Sequence, residues 1–224
     1  MKRPIDIALA RLLQLASPAL PVGAYSYSQA LEAAIDAGIV RDAASAQRWI
    51  GDVLELTVAR MEAPLLLRLC EAWRAGDATA AARWNALFLA GRESAELRAE
   101  SAQMGYSLAR LLAELGESGG PRQWEEVSFP AAFAYAVACW NIEPDKALVA
   151  YLWAWADNQV MAAVKAVPLG QTDGQRMLLA LGEQVSEVAA RAAALDDEAL
   201  GNFAPGLAVL SARHETQYSR LFRS

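Results

Sequence analysis

The chain has 224 residues, 55% hydrophobic and 21% charged, with a formal net charge of −6. This composition suits a globular protein with a substantial core, built as one large domain or two small ones. The acidic balance excludes nonspecific nucleic-acid binding, which needs a basic surface.

The periodicity is helical almost throughout. Lys2 and Arg3 precede an apolar stretch that ends near Ala16-Ser17, which superficially resembles a signal peptide. Asp6 and Arg11 interrupt that stretch and no small-x-small cleavage site follows, so an amphipathic helix over residues 5–16 is expected instead. Pro18 and Pro21 end it and stiffen residues 17–23, because proline fixes φ and restricts its predecessor. A helix over 24–37 stops at Gly38, and Asp42 caps the next, whose apolar face would hold Trp49, Val53 and Leu56. Pro64 belongs in a first helical turn, which starts a new helix near Glu62 that presents Leu66, Leu69, Cys70 and Trp73. Gly76-Asp77 separates it from an alanine-rich helix with Trp84, Leu87 and Phe88.

Residues 93–115 carry the clearest heptad, Leu97, Ser101, Met104, Leu108, Leu111 and Leu115, as antiparallel bundle packing requires. Gly116 to Pro121 is the most flexible connection but no domain boundary, since helices on both sides still need partners. A helix over 130–141 opens at Pro130. The next, 144–166, is apolar nearly all round, as a central helix should be. Thr172-x-x-Gln175 reads as a capping box for a helix carrying Leu178, Leu181, Val185, Val188, Ala192 and Leu195. Asp196 to Gly201 form a turn, and a short helix over 205–216 leads into the tail. No strand or hairpin signal appears. No uninterrupted apolar run of about 18 residues exists, so no membrane span is expected. Cys70 and Cys139 each sit in an apolar helical run and read as buried free thiols, consistent with a cytoplasmic location.

Catalytic constellations are missing. There is no Gly-x-Ser-x-Gly elbow, no phosphate-binding glycine loop and no Cys-x-x-Cys or His-x-x-x-His spacing. The one histidine, His214, lies in a tail expected to be mobile and exposed, so a metal site would need one His214 from each of two copies. Three polar features stand out. Asp157-Asn158-Gln159 interrupts the most apolar helix, so one edge of it reaches solvent or a partner, or else the triplet forms an internal hydrogen-bonded network. The rigid loop before Tyr25, Ser26, Tyr27 and Ser28 suits a contact surface, or the serines are plain helix caps. The tail Arg213–Ser224 interleaves three arginines with Tyr218, Leu221 and Phe222, a composition that suits docking on a partner or folding back on its own domain.

Ser17-Pro18-Ala19-Leu20-Pro21-Val22-Gly23-Ala24-Tyr25-Ser26-Tyr27-Ser28-Gln29-Ala30-Leu31-Glu32 resembles the opening motif of the urease accessory protein UreF family. Lys165-Ala166-Val167-Pro168-Leu169-Gly170-Gln171 is similar to its second signature, and Arg213–Ser224 to its C-terminus. The opening motif usually has glycine where this chain has Ala30. The resemblance covers essentially the whole chain. It implies an all-α fold: a single-domain helical bundle of about nine to ten helices over 1–224 with a docking tail at 213–224. It also implies a homodimeric, non-enzymatic adaptor, without a cofactor or a metal site of its own, that bridges UreD/UreH and the GTPase UreG in nickel delivery to apo-urease. The tyrosine of the opening motif and the lysine before Pro-Leu-Gly-Gln carry over as Tyr25 and Lys165 on the UreG side. Glu32 and Gln171 from the same motifs, and Asn158 on the helix face of Lys165, complete that set. His214, Tyr218, Arg220, Leu221, Phe222 and Arg223 form the UreD/UreH side.

Overall fold

The computed structural model describes residues 7–224, and every described element is helical. In chain order these are α1 (Ile7–Leu15), α2 (Leu31–Asp36), α3 (Ala43–Val53), a π-helical segment (Leu54–Glu62), α4 (Ala63–Arg74), α5 (Ala78–Ala90), α6 (Ala95–Glu114), α7 (Phe129–Cys139), α8 (Pro144–Ala166), α9 (Gln171–Ala193) and α10 (Pro205–His214). The all-α expectation is met. The expected start of the first helix at residue 5, with Lys2, Arg3 and Asp6, lies outside the described residues.

Local chemistry sets most helix starts. Asp42 accepts the Ser45 N–H at 2.8 Å while Ser45 Oγ accepts the Asp42 N–H, a reciprocal capping box. Asp77, Ser94 and Ser128 cap α5, α6 and α7 by accepting the N–H of Ala80, Leu97 and Ala131. Pro130, Pro144 and Pro205 sit in first turns, where a missing N–H costs nothing. α8 is the spine: it packs along α9 and touches α1, α2, α3 and α4, while α7 lies between α4 and α6. The heptad of α6 buries Leu97, Ser101, Met104 and Leu108, and α9 buries Leu178, Leu181, Val185, Val188 and Ala192. No helix among the described residues is long and apolar enough to cross a membrane. Both cysteines are free; Cys70 is buried, and desolvation pushes its thiol up to about 12.

Several expectations need correction. α8, though apolar nearly all round, is not buried all round: Val149, Trp153 and Met161 form a stripe open to solvent. The buried face of α3 is Ala46, Ile50 and Val53, whereas Leu56 is exposed, because the chain widens into the π segment there and the register rotates. α4 begins beside Glu62, at Ala63, with Pro64 in its first turn as expected, but without a break: the π segment runs on from α3, and the Ala63 N–H bonds back to Val58, five residues earlier. A π turn absorbs Pro64: the Arg60 carbonyl, which Pro64 cannot serve, accepts the Gly201 N–H at 3.2 Å. α9 starts on Gly170 and Asp173, whose carboxylate accepts the Gly170 N–H, not on Thr172 and Gln175. Leu115 is exposed at the end of α6. The Gly116–Pro121 connection is pinned: Tyr135 donates to the Ser118 carbonyl and Trp140 Nε1 to Glu117.

The α6–α7 crossing depends on one glycine. A Cβ on Gly105 would stand 2.1 Å from the Val127 carbonyl oxygen and 2.5 Å from the Ser128 carbonyl carbon, both rigid backbone. Gly105→Ala is therefore expected to destabilise the fold by about 2–3 kcal/mol through overpacking, read as a lower urea midpoint at unchanged slope.

Candidate functional site

Only the second half of the expected helix over 24–37 forms, as α2, and the reason lies in the tail. A 3₁₀ turn covers Ala24–Ser26, Tyr27 is extended, and Gln29 and Ala30 adopt left-handed backbone with φ of 51° and 65° before α2 begins. Ser26 gives its carbonyl to the Arg223 N–H at 2.8 Å, and the Ser28 N–H donates to the Ser224 carbonyl at 3.0 Å. These backbone groups are therefore satisfied by residues 223–224 rather than by a helix. Ser28 Oγ donates to the same Ser224 carbonyl at 2.6 Å and accepts the Glu32 N–H. Ala30 stands where family members usually have glycine and holds the left-handed geometry that glycine adopts freely.

Glu32 ties the tail down. It is buried, and its carboxylate accepts the Leu221 N–H at 2.7 Å and the Phe222 N–H at 2.9 Å. The same carboxylate faces His214 Nε2 at 3.4 Å, while Glu96 meets His214 Nδ1 at 2.7 Å. Arg220 closes the group with an ion pair to Glu96 at 2.8 Å. His214 is fully buried and both ring nitrogens face carboxylates, contrary to the expected mobile, exposed histidine. No nitrogen of the ring is left over for a metal while the tail is seated. Among the described residues no cluster of three His, Cys, Asp or Glu could hold an ion.

The tail thus folds back on its own helices, with alternating sides. Phe222 and Ser224 are buried, whereas Leu221 and Arg223 point outward and Tyr218 is fully exposed. Arg223 also reaches the Tyr27 hydroxyl. Phe222 packs under Lys165, whose ammonium lies 4.8 Å from the ring centroid.

A groove of about 450 Å³ opens at this point, lined by Tyr25, Asn158, Met161, Lys165, Gln171 and Phe222 among others. The opening motif, the polar interruption of α8, the second signature and the tail, remote in sequence, meet along its walls. Asn158 donates to the Tyr27 carbonyl, so the polar triplet serves both an internal bond and an open edge. Gln159 is buried and Asp157 half-buried, its carboxyl raised by desolvation. Tyr25, Lys165 and Gln171 are exposed.

The arrangement coincides with a family relationship. A family model described as UreF matches residues 40–182. The chain belongs to the UreF family. It is 58% identical to the urease accessory protein UreF of Azoarcus sp. (strain BH72), over 97% of this chain and 96% of that protein. It is 54% identical to the protein of the same name from Dechloromonas aromatica (strain RCB), over 97% and 98% of the two chains. The corresponding protein of Methylobacillus flagellatus is 51% identical over 97% and 98%. The motifs quoted above therefore identified the family correctly, including the two that lie outside the span of the family model.

Of the expected site residues, Tyr25, Asn158, Lys165 and Gln171 converge on one groove, and Phe222 from the other set joins them. Glu32 lies beneath the surface as the tail's acceptor. Sequence reading missed Glu96 and Glu100, one turn apart on α6. Glu100 carried a usable signal: it falls three residues after Leu97 and four before Met104, on the apolar stripe. It accepts from Gln29 Nε2 at 2.7 Å and Ser224 Oγ at 2.6 Å, and Gln29 in turn accepts from Trp155 Nε1.

Glu32→Ala leaves two tail N–H groups and His214 without their acceptor and is expected to cost about 2–4 kcal/mol. Residues beyond His214 should then be clipped by limited proteolysis, with the released fragments identified by mass. Glu100 gives a pH test. Burial pushes its carboxyl from 4.5 up to about 6, against the lowering effect of the Ser224 and Gln29 hydrogen bonds. The folded state therefore holds the proton more tightly than the unfolded chain, so this term favours folding increasingly as pH falls from 6 to 4.5 and fades as pH rises. Glu100→Gln should lack an increment of about 2 kcal/mol in that window, measured as the difference between the two urea-unfolding profiles against pH.

Proposed function

We propose that the chain is a non-catalytic adaptor of urease maturation, acting in the cytoplasm as a homodimer of one UreF-like domain per chain. It bridges UreD/UreH and the GTPase UreG and regulates GTP-dependent nickel delivery to apo-urease. One observation carries the reading: residues from four separated segments, Tyr25, Asn158, Lys165 with Gln171, and Phe222, line a single groove on an otherwise acidic protein. Rigid, pre-ordered walls with an aromatic and a free-standing ammonium at the rim suit protein recognition, because little entropy is lost on contact. The names of the relatives support the urease context.

In this reading the partner sets divide by exposure. On the UreG side, Tyr25, Asn158, Lys165 and Gln171 make contact, while Glu32 acts from below by fixing the tail against them. On the UreD/UreH side, Tyr218, Arg220, Leu221 and Arg223 present themselves outward, while His214 and Phe222 serve as anchors. Regulation follows from linkage: an adaptor that binds one nucleotide state of the GTPase better than another biases its cycle by that difference.

Deleting 213–224 is a poor test, since it removes the buried His214, Phe222 and Ser224 and so damages the fold. Tyr218→Ala combined with Leu221→Ala touches only exposed groups. The double variant should keep its melting temperature within about 2 °C and lose UreD/UreH capture by about tenfold or more. Lys165→Ala should weaken UreG binding in calorimetry while UreD/UreH capture stays intact. Unchanged affinity for both partners in these variants overturns the proposal.

A further inference from the structure

Behind the groove lies a second, deeper space. A cavity of about 280 Å³ runs from the loop of the opening motif into the core between the end of the π segment, α5, α6, α7 and α8. It exceeds by a wide margin the apolar voids of about 150 Å³ that take up benzene-sized guests. Phe129, Phe133 and Tyr151 stack and cross at 5.0–6.0 Å along its wall, and Trp155 adds a further ring.

Its charges are not balanced. Arg92, the one cation of the wall among the described residues, is ion-paired with Glu62 at 3.3 Å, and Glu62 also accepts from the Tyr151 hydroxyl. Glu100, fully enclosed, accepts hydrogen bonds from the neutral donors Gln29 and Ser224, and Arg92 acts on it only through space. Asp157 at the mouth makes no ion pair among the described residues. Burial disfavours both charged carboxylates and outweighs the through-space help of Arg92 at Glu100, as their raised proton affinities record. Two locally costly backbone devices shape this wall: the π segment ends on Glu62, and the left-handed pair Gln29–Ala30 turns Gln29 toward Glu100 and Trp155. Strain of this kind persists where surrounding contacts over-determine it and often marks ligand sites.

We propose that this cavity binds a small organic cation, an ammonium on an aromatic or short apolar body, with the charge at Glu100 and the body among Phe129, Phe133, Tyr151 and Trp155. Ring faces attract cations, and a carboxylate without a counter-ion completes the complement. An anion is disfavoured because Arg92 is already paired. A metal ion is disfavoured because no three His, Cys, Asp or Glu among the described residues come together.

The test uses the full chain at neutral pH with three probes of one shape: 2-phenylethylammonium, 2-phenylethanol and 3-phenylpropionate. Titration followed by calorimetry and by tryptophan fluorescence should show saturable one-site binding of the ammonium, at least tenfold tighter than the alcohol, and none of the carboxylate. Glu100→Gln should reduce the ammonium to the level of the alcohol. Ala154→Phe, which fills the cavity from α8, should abolish both, with circular dichroism confirming the fold of each variant. Equal binding of ammonium and alcohol, an unchanged Glu100→Gln, undiminished binding in Ala154→Phe, or no saturation of the wild type at millimolar ammonium would each overturn the site.

Discussion

The Glu32 carboxylate is the contact on which the functional end of the molecule depends. A buried carboxylate is costly unless its lone pairs are filled, and here they are filled by the tail: two consecutive backbone N–H groups and the His214 ring. Once Glu32 fixes residues 221–222, the next two residues fall into place against Ser26 and Ser28, and Phe222 slides under Lys165. The groove has its shape because this sequence of contacts is complete. The carboxylate also orients the histidine, which hands its second nitrogen to Glu96 and through it to Arg220. The contacts thus run in steps from a buried centre to an exposed arginine.

Local chemistry was well legible in the amino-acid sequence, and long-range chemistry was not. The heptads of α6 and α9, the Asp42 cap and the first-turn prolines are decided within a few residues, and they fold as read. The larger failures share a cause: a distant residue serves a backbone group that local rules assign to its neighbours, whereas the α9 cap, set by Asp173 three residues from Gly170, is a local exception. Gly201 takes the Arg60 carbonyl that Pro64 leaves unserved, and the π segment runs on into α4 without the break that proline suggests. Residues 223–224 take the backbone of 26–28 and so cancel a helix that composition favours. Nothing near Ser26 announces that its partner lies at the far end of the chain.

The candidate site shows the same division. Composition drew attention to Tyr25, Asn158, Lys165 and the tail, because aromatics, a polar break and paired cations are conspicuous beside apolar helix, and the family resemblance added Gln171; in the structure Tyr25, Asn158, Lys165, Gln171 and Phe222 line one groove. Their convergence was invisible, since it is made by tertiary contacts. The burial of His214 was invisible for the same reason: a histidine beside arginines in a terminal segment reads as solvated until Glu32 and Glu96, from two other helices, are placed around it. Glu100 was overlooked although it sat on an apolar stripe, where a charged residue signals either a misread register or a partner.

The pairing of Ser28 with Ser224 spans 196 positions. The entropy lost in closing a loop grows only with the logarithm of its length, so a contact this remote is not much harder to close than one half as far away. Packing of α3 to α9 brings its two ends near each other first, and the shape of residues 24–30 is therefore a product of tertiary assembly, not of local order.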